Sequence, residues 1–123
     1  MREIKFRGIE KKTKKWVYGT LFAGQIYEQP EFGTGRGYHD FGKEVIEETV
    51  GIFLEPKDIN GTDIYEGDIM TNGERNYEVK SIESSFFIVN CHGTAAYRLC
   101  KSEIAEYGFR VIGNIHQNKE LLK

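Results

Sequence analysis

Twelve consecutive residues, Asp58-Ile59-Asn60-Gly61-Thr62-Asp63-Ile64-Tyr65-Glu66-Gly67-Asp68-Ile69, hold two glycine-directed turns around a short apolar segment. Asparagine and glycine enter the left-handed backbone region at little cost, so Asn60-Gly61 and Gly67-Asp68 read as reversals. Ile64-Tyr65 between them is too short for a helix. A chain that turns back so often is committed to short antiparallel strands. The same logic extends in both directions. Val50, Ile52 and Phe53 form a strand that starts near Glu48 and is stopped by Pro56, which cannot donate to a ladder. Asn72-Gly73 is a hairpin signal, followed by Tyr77, Val79 and Ile82 and then by Phe86-Phe87-Ile88-Val89. A meander of about four or five strands across 49–99 is predicted.

Upstream, residues 2–7 alternate, with Ile4 and Phe6 on one parity and Glu3, Lys5 and Arg7 on the other, the mark of a half-buried strand. A lysine-rich tip follows, then Trp16-Val17-Tyr18, giving a hairpin. Another short strand over 19–27 breaks at Gly24, and 28–43 is a glycine-rich loop. Ser102 is placed as the N-cap of a short helix over 102–107 that Gly108 ends. Val111 and Ile112 form a last strand, and Leu121 and Leu122 dock the terminus. The expected class is mainly β, with small strongly curved antiparallel sheets or a partly open barrel. One domain is expected: an N-terminal hairpin and loop portion over 1–48, a meander core over 49–115 and a tail over 116–123.

Composition narrows the functional classes. No apolar run approaches the roughly 20 residues that span a bilayer, and the N-terminus is too polar for a signal peptide, so a cytoplasmic protein is expected. Cys91 and Cys100 make no disulfide framework and read as reduced thiols; His92 beside Cys91 lacks the second pair a zinc site needs. Neither a cofactor nor a metal is assigned. Seven of the first fifteen residues are basic and two acidic, on a chain of net charge -2.

That imbalance makes Lys11, Lys12, Lys14, Lys15 and Trp16 candidate nucleic-acid contacts, although the lysines read first as solvated loop charges, since none of the usual reading motifs accompanies them. The rings of Phe6, Trp16, Tyr18 and Phe22 are expected in the core, a stacking platform being the alternative. Arg36, Tyr38 and His39 in the glycine-rich loop, with Asp58, Asp63, Glu66 and Asp68 in the turns, are candidates for a partner surface. Gly33-Thr34-Gly35-Arg36-Gly37 lacks the lysine and hydroxyl ending of a phosphate loop. The four turn acids could in principle hold a metal for hydrolysis, but aspartate is favoured in turns because it bonds nearby amides. No catalytic residue is assigned. An unknown macromolecular partner is expected, protein ahead of nucleic acid, and homo-oligomerisation stays open.

Ile4-Lys5-Phe6-Arg7, Thr49-Val50-Gly51 with the Asp58–Ile69 stretch, and Val111-Ile112-Gly113-Asn114-Ile115 together resemble the YopX-like family of phage and prophage proteins. The resemblance runs from the first strand to Asn118, Glu120, Leu121 and Leu122. Gly8-Ile9-Glu10, Phe53-Leu54-Glu55-Pro56 and His116-Gln117 depart from its usual residues. It implies a predominantly β fold, a phage-derived context and an accessory or regulatory role, with no chemistry to carry over; the turns, polar loops and lack of a catalytic set make a non-enzymatic interaction protein the expectation.

Overall fold

The computed structural model describes residues 5–28, 42–90 and 93–122. Among these are eleven strands, one α-helix and two single-turn 3-10 segments, so the chain is mainly β with one short helix. The chain divides into two compact units, Met1–Phe53 and Leu54–Lys123.

In the N-terminal unit the strands are β1 (Phe6–Ile9), β2 (Trp16–Phe22), β3 (Gln25–Tyr27), β4 (Lys43–Glu44) and the start of β5 (Gly51–Lys57). Neighbours run β4-β3-β2-β1-β5. The β1–β2 register sets Arg7 opposite Tyr18 and Ile9 opposite Trp16. Because side chains alternate across a strand, this register decides which rings are buried. Val17, Ile26 and Val45 form the buried cluster, with Phe6, Leu21 and Val50 packed against it. Each such side chain contributes about 1.5–3 kcal/mol by leaving water. Trp16, Tyr18, Thr20 and Phe22 therefore face the other way. The segment expected to begin β5 near Glu48 is instead a 3-10 turn, Glu47–Thr49. Thr49 explains it: the buried hydroxyl accepts the Ile9 amide at 2.8 Å and donates to the Ile46 carbonyl at 2.6 Å, finishing β1 with a side chain.

The C-terminal unit holds the rest of β5, β6 (Asp63–Tyr65), β7 (Asp68–Thr71), β8 (Asn76–Ile82), β9 (Ser85–Val89), β10 (Ala95–Arg98), α1 (Lys101–Tyr107) and β11 (Arg110–Asn114). Its five-stranded sheet, β10-β9-β8-β7-β11, is open, with β10 and β11 at its edges. β7 to β10 are successive hairpins, and β11 returns beside β7 with Arg110 opposite Thr71. All four residues of β7 are buried, as a strand between two neighbours and under both faces requires. Rings fill one side: Phe109 is fully buried, edge-on to Tyr77 at 5.5 Å and Tyr97 at 5.2 Å. Such edge-to-face pairs are worth about 0.5–1.5 kcal/mol beyond their buried area.

Two further expectations are corrected. β5 does not stop at Pro56 but continues to Lys57. Its ladder with β1 is over by Phe53, whose amide donates to the Lys5 carbonyl at 2.7 Å, so the missing proline N–H breaks no β1 bond. The cap of α1 is Cys100, not Ser102, with no side-chain capping bond. Gly108 does end the helix, in the left-handed conformation, its amide on the Ile104 carbonyl at 2.9 Å. The terminal 3-10 segment, Lys119–Leu122, is tied to β8 by Asn76, whose side-chain Nδ2 donates to the Leu121 carbonyl at 2.8 Å. No helix among the described residues is long and apolar enough to cross a membrane.

Candidate functional site

The turns that dominate the sequence are built by their acids. Asp58 is buried, and its Oδ1 accepts the amides of Asn60 and Thr62, each at 2.8 Å. Its Oδ2 accepts the Val111 amide at 2.9 Å, and the Ile59 amide reaches the Phe109 carbonyl at 3.1 Å. Asp68, 2% exposed, accepts the Tyr65 amide at 2.7 Å on Oδ2 and so closes the Glu66-Gly67 turn. Gly61 and Gly67 carry φ of 80° and 93°, the conformation each reversal demands. Asp63 pairs with Lys57 at the surface. The part of the acidic turns open to a partner is thus Asp63 and Glu66, both half-buried. Among the described residues, no three His, Cys, Asp or Glu side chains are grouped to hold a metal.

The basic hairpin is arranged differently. Glu10 and Lys15 close its loop through an amide-to-carbonyl bond of 2.9 Å, and the Lys14 amide returns to the Glu10 carbonyl at 2.9 Å. Lys14 adopts φ 63°, turning the tip sharply. The Glu10 carboxylate accepts the Thr13 hydroxyl at 2.8 Å. Lys11, Lys12, Lys14 and Lys15 are all exposed, and Lys11 lies 3.7 Å from Glu44 in a solvated pair. Trp16, half-buried, opens β2, and the Arg7 guanidinium sits 4.3 Å over its ring. On the same face Lys5 lies 4.7 Å over the Phe53 ring.

Beyond Trp16 on that face stand Tyr18, 45% exposed, and Phe22, 70% exposed. The expectation that both belong to the core is not met, and the reason is parity. Val17 and Leu21 take the core side of β2, and Phe6 joins them from β1 while the even residues of β2 turn outward. The alternation was visible in Trp16-Val17-Tyr18; the register that assigns it to inside and outside was not. Arg36, Tyr38 and His39, and Cys91 with His92, lie outside the described residues.

A groove of about 750 Å³ in the C-terminal unit is lined by Pro56, Ile59, Ile104 and Ala105, with Lys57 and Lys101 among its polar neighbours. The Asp58 carboxylate beside it is committed to three backbone amides. Half-buried Cys100 lies 3.3 Å from the Ser102 hydroxyl, which with the Glu103 backbone holds the thiol below its ordinary range.

A family model described as YopX protein matches residues 5–123. The chain belongs to the YopX family. That places it among phage and prophage proteins. The crystal structure of protein EF1440 from Enterococcus faecalis has the same fold as this YopX protein, with a TM-score of 0.70 and 22% identity. The match covers 98% of this chain and 99% of that one. No curated protein matches the chain.

Proposed function

We propose that this YopX protein is a non-enzymatic accessory or regulatory protein of a phage or prophage, working in the host cytoplasm by binding another macromolecule. The observation that carries this reading is the outward row of rings on β2. Tyr18 and Phe22 are 45% and 70% exposed on a strand whose other face already fills the core. Large apolar side chains repeated at the surface of one strand mark an interaction surface more often than scattered single ones do. The acids that would be needed for hydrolysis support it from the other direction. Asp58 and Asp68 spend carboxylate oxygens on backbone amides.

Tagged protein expressed in lysogenic cells tests the reading. Wild type is expected to retain a stoichiometric macromolecular partner, and Tyr18→Ser with Phe22→Ser to lose it. Recovery of the wild type alone, or equal recovery of the partner by both forms, would overturn it.

A further inference from the structure

We infer that the groove between the end of β5 and α1 is the interface of a symmetric dimer, occupied by the same face of a second copy of this chain. This surface is separate from the β2 face and adds to the interaction reading above. Pro56 comes from β5, Ile59 from the turn that Asp58 builds, and Ile104 with Ala105 from α1. Lys101, Ile104 and Ala105 stand at i, i+3 and i+4 and so share one side of the helix, while Glu103 and Glu106 fall outside it. Ile59 is 48% exposed, and its Cδ1 lies 3.8 Å from where a Cβ on Gly108 would stand, at the helix end. A hollow of about 750 Å³ and an outstanding isoleucine therefore lie side by side on one surface.

The charges on this face decide the occupant. Glu55, Lys57, Asp58 and Lys101 all line the groove. Two of them are spent inside the chain, Lys57 on the Asp63 carboxylate and Asp58 on three backbone amides. Glu55 on β5 and Lys101 on α1 are both exposed, and among the described residues neither side chain has a hydrogen bond or an ion pair. One wall thus offers a free anion and the other a free cation.

Such a face complements itself. In an isologous contact, whatever residue i meets on residue j is met again by j on i. A two-fold axis through the groove sets Glu55 of each copy against Lys101 of the other and turns each Ile59 toward the other's hollow. One face then supplies two ion pairs and two buried isoleucines. An anionic ligand would meet Glu55 with its like charge, and a cationic one would meet Lys101.

Sedimentation equilibrium of the full chain over a concentration series tests the inference. Wild type is expected to dimerise. Glu55→Lys or Lys101→Glu alone should raise the dissociation constant about 30-fold, because each turns two exposed attractions into repulsions. An equimolar mixture of these two variants should regain the wild-type constant, since both pairs in the mixed dimer are again opposite in sign. Ala105→Arg keeps a good helix former at an exposed position, fills the hollow and should leave the chain monomeric. Circular dichroism should show all three variants folded. A monomeric wild type, a dimer that either charge variant keeps at wild-type strength, or a mixture no tighter than its components would overturn the inference. A monomeric wild type that takes up a small apolar dye, with uptake lost in Ala105→Arg, would overturn it too and make the groove a ligand site. None of these changes touches Tyr18 or Phe22, so the interaction reading stands or falls on its own experiment.

Discussion

The Asp58 carboxylate accepts the backbone amide of Val111 at 2.9 Å, across 53 residues of sequence. With Asn60 and Thr62 on its other oxygen, one buried side chain shapes a turn and fastens the edge strand β11. Asp58→Ala is expected to cost about 3 kcal/mol, since it removes a buried carboxylate that accepts three backbone amides at once. Asp58→Asn should recover only part of this. One amide oxygen can serve Asn60 and Thr62, but the amino group then meets the Val111 N–H donor to donor. Urea unfolding of the three proteins measures the order.

The β8–β9 hairpin is joined by Glu83-Ser84, both at positive φ (50° and 69°), with Ile82 opposite Ser85. Two positive φ values in a two-residue loop match the type I′ hairpin turn, whose preferred residues are asparagine and glycine. Glu83→Asn with Ser84→Gly is expected to stabilise the protein by about 1–2 kcal/mol by relieving the left-handed strain. A higher melting temperature with unchanged circular dichroism at room temperature is the expected result.

Gly19 admits no side chain. A Cβ there would lie 2.2 Å from the Tyr27 carbonyl oxygen, a backbone atom that cannot step aside without breaking the β2–β3 pairing. Gly19→Ala should destabilise by about 3 kcal/mol, at the upper end of overpacking costs. Because β2 also carries Tyr18 and Phe22, the change should lower partner binding as well; denaturant midpoints and binding on the same samples would show both losses together.

Burial raises the Tyr77 pKa above the ordinary 10.0, with a smaller contribution from Tyr97. The unfolded chain therefore releases this proton first. The stability Tyr77 contributes is complete below pH 10.0 and is lost as pH rises from there through the folded value. Tyr77→Phe keeps the ring contacts with Phe109 and Tyr97, so it should flatten the alkaline fall in stability. Denaturant titrations at neutral pH and above pH 10 compare the two; parallel curves would show that Tyr77 has no such role.

Legibility in the sequence followed the range of the forces. Turn residues act locally, so Asn72-Gly73 announced a real hairpin, in which Asn72 Oδ1 accepts the Glu74 and Arg75 amides at 2.9 Å. The helix end at Gly108 was equally readable. Ser102 looked like the better cap, but the helix already starts at Lys101 and leaves Cys100 in that position. The exposed rings were harder still. Whether Tyr18 or Val17 faces the core depends on pairing with β1 and on Ile26 and Val45, residues distant along the chain. The phage family was legible because its motifs sit in the turns themselves.

The place of β11 beside β7 has a consequence in time. β7 to β10 join by short loops and can close as independent local events, whereas pairing Arg110 with Thr71 must bridge nearly forty residues. Contacts of long sequence separation form late and slow the passage to the native state. The Asp58–Val111 bond belongs to that last step, so weakening it should hasten unfolding far more than it delays folding. The chain's endurance in a cell full of proteases then depends on how long one aspartate keeps hold of one edge strand.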